Sequence, residues 1–108
     1  MLELKPGVRV LGIRPELVLA LHVAEGIWGV EGKPLVVTAV MDGQHTTGSA
    51  HYRGEAADLR SNTLAPGRVP AVIAALQTAL GPDYFILYEG EGTPQAHIHL
   101  EYRAREAY

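Results

Sequence analysis

Histidine side chains are concentrated in two short polar stretches of this chain, and each stretch also contains a carboxylate. The first stretch, residues 44–60, reads QHTTGSAHYRGEAADLR and contains His51 and Asp58. The second lies far downstream, where QAHIHLEY contains His97 and His99. Imidazole and carboxylate groups are suitable zinc ligands, and the chain has no cysteine that would offer a thiolate instead. We therefore predict that His51, Asp58 and one histidine of the downstream pair hold a zinc ion, with a further position left open for water.

The downstream pair lies in a segment with the alternation of a strand. Residues 96–102 place His97 and His99 on one face, together with Glu101. Positions two apart lie about 7 Å from each other along a strand, so a metal about 2.0 Å from one imidazole is hard for the other to reach. We expect one histidine to bind the metal and the other to lie beside it or face the substrate; the spacing does not decide which.

A zinc site that activates water is helped by a nearby proton acceptor. Glu89 follows the apolar run YFILY, so it is expected at the end of a strand beside the one that carries the histidine pair. Glu91 is the alternative, two residues further on in the polar connection. We favour Glu89 because a strand end holds a side chain more firmly than a flexible connection does.

A metal-free domain with incidental histidines is the competing interpretation, since most histidine pairs of this spacing are surface residues. Four of the five histidines lie in the two polar stretches, and this concentration favours a site. The fifth, His22, falls in a predicted helix with no further ligand nearby, so we interpret it as structural.

Composition limits the classes of protein that need to be considered. The chain has 108 residues, of which 47% are hydrophobic, enough for one small domain with its own core. A net charge of −3 and scattered basic residues argue against nucleic-acid binding. No apolar run approaches the about 20 residues of a membrane span. The first residues lack the pattern of a signal peptide, so we expect no export signal in this chain and leave its localisation and oligomeric state open.

The predicted secondary structure is mixed. A first helix begins at Pro15, which suits a first turn, and glycines 29 and 32 are expected to end it. Its buried positions recur at helical spacing: Leu17, Leu21, Ala24 and Trp28. A second helix is predicted at 69–80, and strands at 35–40, 56–59, 84–88 and 96–102, the last two as a hairpin. Residues 1–12 are expected to form an extended arm or short strand. The predicted fold class is α+β, with a small antiparallel sheet and two helices packed on it in one domain, residues 1–108.

Two motifs resemble those of a known family. The segment SAHYRGEAAD is similar to the SxHxxGxAxD motif of the zinc D-alanyl-D-alanine carboxypeptidases and related peptidoglycan endopeptidases, and HIHLEY resembles their last strand. The same fold occurs in the signalling domain of Hedgehog proteins. That branch also has a histidine six residues before HYxGxAxD and an AHIH strand, which correspond here to His45 and residues 96–99. The resemblance covers roughly residues 35–102.

The resemblance implies a role for each residue that matches the family pattern. His51, Asp58 and His99 would bind zinc, and Glu89 would be the catalytic base. Two further histidines have implied roles near the metal: His97 as a partner beside the ligands or in the transition state, and His45 as a substrate contact.

The chain departs from the family pattern in two places. The arginine that many of these carboxypeptidases use to bind substrate is absent after the central strand, where this chain reads VMDGQH; Arg53, or alternatively Arg60, is the candidate replacement. Many members also place the catalytic acid three residues before the last zinc histidine, where this chain has Ala96. The resemblance implies a zinc peptidase acting on peptidoglycan peptides, from a phage or from a longer exported protein. The departures favour, as an alternative, a non-catalytic zinc-binding recognition domain.

Overall fold

The computed structural model describes residues 1–42 and 49–103. In chain order the elements are β1 (Leu2–Leu4), α1 (Pro15–Val30), β2 (Leu35–Ala39), a 3-10 turn (Ala50–Arg53), β3 (Ala56–Arg60), α2 (Val69–Leu80), β4 (Tyr84–Glu89) and β5 (His97–Tyr102). The predicted helices and strands are confirmed with small shifts at their ends. The first helix runs past Gly29 to Val30, and Gly32 follows it with a positive φ of 74°.

The strands form a five-stranded sheet in the order β1-β2-β3-β5-β4. Strand β1 pairs with β2 in parallel, whereas β2–β3, β3–β5 and β4–β5 are antiparallel. The sheet is therefore mixed, and the prediction of a purely antiparallel sheet is wrong at this edge. The cause is helix α1, which carries the chain back to the end of the sheet from which β1 started, as a parallel connection requires.

Both helices pack on one face of the sheet, and the core lies between the helices and that face. Helix α1 contributes its predicted apolar stripe, with Trp28 fully buried, and the strands contribute alternate residues such as Leu59, Ile98 and Leu100. The intervening strand residues face away from the helices. Among the described residues, no helix has the length and apolar character needed to cross a membrane.

The face turned away from the helices carries the polar residues singled out in the sequence. The register pairs Asp58 with His99 and Arg60 with His97 across β3 and β5, and pairs His97 with Glu89 across the hairpin. Residues paired directly across strands point to the same side of a sheet. The two polar stretches therefore meet on one surface, although about forty residues separate them along the chain.

Candidate metal centre

Asp58 is the residue around which the cluster is arranged. It lies in the middle of β3, directly opposite His99, and its Oδ1 atom is 3.3 Å from the Nδ1 atom of His99. The same Oδ1 atom is 3.2 Å from the Nε2 atom of His51. One carboxylate oxygen therefore faces two imidazole nitrogens that come from different parts of the chain.

His51 is held by the 3-10 turn that leads into β3. The hydroxyl of Ser49 accepts a hydrogen bond from the His51 backbone N–H at 3.2 Å, and Gly54 ends the turn in the left-handed conformation. The His51 side chain is only 3% exposed. Its Nδ1–H donates to the carbonyl oxygen of Val40 at 2.8 Å, so the lone pair of the neutral ring is on Nε2, the atom that faces Asp58.

The two contacts of Asp58 have the separations expected between ligands of a tetrahedral zinc ion. Ligand atoms about 2.0–2.1 Å from such an ion lie about 3.3–3.4 Å from each other, and the contacts of Asp58 with His51 and His99 are 3.2 and 3.3 Å. All three donor atoms lie within 4.8 Å of one another. The residues present can therefore hold a metal ion, and their nitrogen and oxygen donors suit zinc among other divalent metals.

His99 is oriented by a carboxylate on its far side. Its Nε2 atom lies 2.9 Å from Oε1 of the buried Glu101, which in turn accepts a hydrogen bond from Arg103 at 3.0 Å. The guanidinium of Arg103 stacks over the ring of Phe85 at 4.3 Å. A carboxylate that accepts the second N–H of a ligating histidine fixes the tautomer and increases the basicity of the ring, which leaves Nδ1 of His99 as the atom that could bind a metal ion.

The ionisation of these groups reflects their contacts. Burial alone would raise the pKa of Asp58, but its interactions with the rings of His51 and His99 hold it well below its usual value. The hydrogen bond to Asp58 raises the pKa of His99, against the effect of burial and with help from Glu101. Burial likewise acts to raise the pKa of Glu101, but the bonds from His99 and Arg103 lower it.

Glu89 and His97 form a second pair beside this cluster. The Nε2 atom of His97 lies 3.2 Å from Oε1 of Glu89 and 3.7 Å from Oδ1 of Asp58. Oε1 of Glu89 is also 3.9 Å from Nδ1 of His99. The side chains of Glu89 and His97 are 45% and 26% exposed, so this side of the cluster is the one that solvent reaches. Glu89 and His97 thus stand between the proposed ligands and the solvent.

The two candidate arginines lie in different surroundings. Arg53 pairs with Glu55 through a contact of 2.6 Å. Arg60 lines an open groove of about 420 Å³ next to His97, and Lys5 lies in the same groove. Neither Arg60 nor Lys5 makes an ion pair within residues 1–42 and 49–103.

The other candidates lie away from the cluster or outside the described residues. Glu91 is exposed in the connection after β4 and lines a different groove. His22 is exposed on α1, so it is not a core residue. His45 lies outside the described residues, and its substrate contact stays a prediction.

Two contributors to the site were not assigned from the sequence. Strand alternation placed Glu101 on the same face as His99, and this was the one indication in the sequence of their contact. Nothing in the sequence indicated the contact between His51 and the carbonyl of Val40, because every residue has a backbone carbonyl and the fold determines which one His51 reaches.

No family model matches the chain, and the comparisons with curated proteins and with solved structures found no match either.

Proposed function

We propose that this protein is a zinc-dependent peptidase that cuts a peptide bond in the stem or cross-link peptides of peptidoglycan, with the Hedgehog/DD-peptidase fold. The observation that carries the proposal is the convergence of His51, Asp58 and His99 on one point of the open sheet face, with donor separations suited to zinc. The motif resemblance adds the substrate class. The two imidazoles and one carboxylate leave room for water or substrate, as catalytic zinc sites do.

When bound, zinc supplies a Lewis acid that polarises the scissile carbonyl and a nucleophile at neutral pH by lowering the pKa of its water. Glu89 would accept the proton from the attacking water and return it to the leaving amine, since its Oε1 atom lies on the solvent side of the cluster, 3.9 Å from His99. His97 is held by donation from its Nδ1–H to the carbonyl of Gln95 at 2.8 Å. With a proton also on Nε2, it would orient Glu89 and stabilise charge on the substrate oxygen.

The groove beside His97 would receive one end of the peptide. Arg60 and Lys5 bring positive charge to this groove, which suits an anionic group on the substrate such as a carboxylate. Arg60 lies two residues from Asp58 on β3, or about 7 Å along the strand. Arg60 would therefore contact an anionic group of the substrate close to the cleaved bond. Its position favours Arg60 over Arg53 as the substrate-binding arginine.

The test is incubation of purified protein and zinc with muropeptides, followed by mass spectrometry of the products. We expect one defined peptide bond to be cut, and chelation to stop the reaction. Replacing Glu89 by glutamine should lower turnover by about a hundred- to ten-thousandfold while zinc binding persists. Glu91→Gln is the matched control, since Glu91 is exposed and away from the cluster, and should retain full activity. Unchanged turnover in Glu89→Gln would refute the assigned base.

A second candidate is a recognition domain that binds such peptides without cutting them. The exposure of Glu89, at 45% of its side chain, and the missing family arginine favour it. In this case zinc-loaded protein would bind muropeptides, measurable by calorimetry, and would leave them intact.

A further inference from the structure

We infer that a second divalent cation binds beside the first, held by Glu89, His97 and a shared Asp58. These three residues form a second group of possible ligands, which has only Asp58 in common with the first. Their donor atoms also lie within 4.8 Å of one another. The Nε2–Oε1 distance between His97 and Glu89 is 3.2 Å, again close to the about 3.3–3.4 Å expected between two ligands of one tetrahedral ion. Asp58 is the bridge, because its Oδ1 atom is 3.7 Å from the same Nε2 atom.

The hydrogen bonding of His97 leaves its second ring nitrogen available to a cation. Its Nδ1 atom lies 2.8 Å from the carbonyl oxygen of Gln95, which only accepts, so Nδ1 carries the proton of the neutral ring. Nε2 then presents a lone pair to two carboxylates, those of Glu89 and Asp58. A lone pair facing a carboxylate oxygen is repulsive unless a proton or a metal ion lies between them. The same arrangement occurs at His51, where we place the first metal.

The second ion binds more weakly than the first. Its site has one imidazole, and the side chains of His97 and Glu89 are 26% and 45% exposed, whereas the first site has two imidazoles that are 3% and 14% exposed. The two dications also repel each other. Occupation of the second site engages Glu89, which is assigned to proton transfer, and His97, which is assigned to charge stabilisation, so excess zinc inhibits hydrolysis.

The inference rests on the metal site of the proposed function, and its test counts bound ions, so it does not depend on peptidase activity. Metal-free protein is titrated with Co²⁺, followed by visible absorption, and with Zn²⁺, followed by calorimetry. We expect two binding steps, the second weaker by at least about tenfold because the two dications repel each other. The double variant Glu89→Gln/His97→Asn should keep the first step and lose the second. Glu89→Gln alone, at an exposed position, weakens the second step and serves as the probe if the double variant is unfolded by circular dichroism.

A control variant separates this site from other imidazoles. His22→Asn, at an exposed position on α1, should keep both steps. A single step in the wild-type protein would overturn the second site and leave the first intact, and the absence of any step would overturn both. Two steps that persist in the double variant, or a second step lost in the control, would contradict the assignment of the second ion to Glu89, His97 and Asp58.

Discussion

The Nδ1–H of His51 donates to the carbonyl oxygen of Val40 at 2.8 Å, and this bond turns Nε2 of the same ring towards Asp58. Val40 directly follows β2, and His51 lies on the turn before β3. A backbone acceptor thus sets the tautomer of a proposed metal ligand. The geometry of the site therefore depends on how tightly the turn is held against the sheet and the N-terminal segment.

Gly54 is the residue that tests this dependence. Its φ is +70°, and a Cβ there would overlap the carbonyl oxygen of Gly12, while the Gly54 carbonyl accepts from Arg14 N–H at 2.9 Å. Gly54→Ala should lower the free energy of unfolding by more than the about 1–2 kcal/mol that a left-handed residue costs, and should weaken zinc binding through His51. Gly67→Ala is the matched control, since Gly67 has φ +83° in open space. Equal losses in the two variants, measured by chemical denaturation, would contradict the packing argument.

Glu101 should matter for metal affinity more than for the fold. Replacing it by glutamine removes the charge that accepts the Nε2–H of His99, so we expect zinc affinity to fall by about ten- to a hundredfold. Competition with a chromophoric chelator measures this change. Glu55→Gln is the control, because Glu55 pairs with Arg53 and not with a proposed ligand. Affinity in Glu101→Gln equal to that in Glu55→Gln would refute the orienting role.

Metal-free and zinc-loaded protein should respond to pH in opposite directions. The pKa of His99 is raised above 6.5 in the folded protein. His99 therefore stabilises the fold fully below about pH 6.5, and this stabilisation is lost as the pH rises through the folded-state pKa. The pKa of Asp58 is lowered from 3.8, so its contribution is present above that value and is lost in strong acid. Zinc needs deprotonated ligands, and its stabilisation therefore grows with pH.

Thermal melts between about pH 6 and pH 8, the range in which histidine titrates, measure this difference. We expect the gap in Tm between zinc-loaded and chelated protein to widen as the pH increases. A gap that stays constant or narrows over this range would contradict the assignment of His99 as a ligand.

Arg60 should affect substrate binding more than turnover. It lines the groove beside His97, so Arg60→Ala should raise KM for an anionic peptide. The increase should be about tenfold or more, because the variant loses one charge-assisted hydrogen bond of about 1.5–3 kcal/mol. Arg53→Ala, whose side chain contacts Glu55, should change KM little. The reverse order of effects would restore Arg53 as the substrate contact.

Much of this fold was accessible from the sequence because its patterns are local. Helical spacing identified α1 and α2, and strand alternation placed His97, His99 and Glu101 on one face. The parallel pairing of β1 with β2 was missed because three residues carry no signal of their partner. The convergence of His51 on Asp58 was predicted from residue types, but the acceptor on Val40 and the Glu101–Arg103 chain depend on register and long-range packing.

Zinc binding by wild-type and Asp58→Asn protein, compared in competition with a chelator of known affinity, tests the central claim most directly. Asparagine keeps the size of the side chain and removes the charge that faces both His51 and His99. We predict that the wild-type protein retains one tightly bound zinc under conditions in which Asp58→Asn is stripped. Wild-type protein that holds no stoichiometric zinc, or a variant that holds it equally well, would contradict the account.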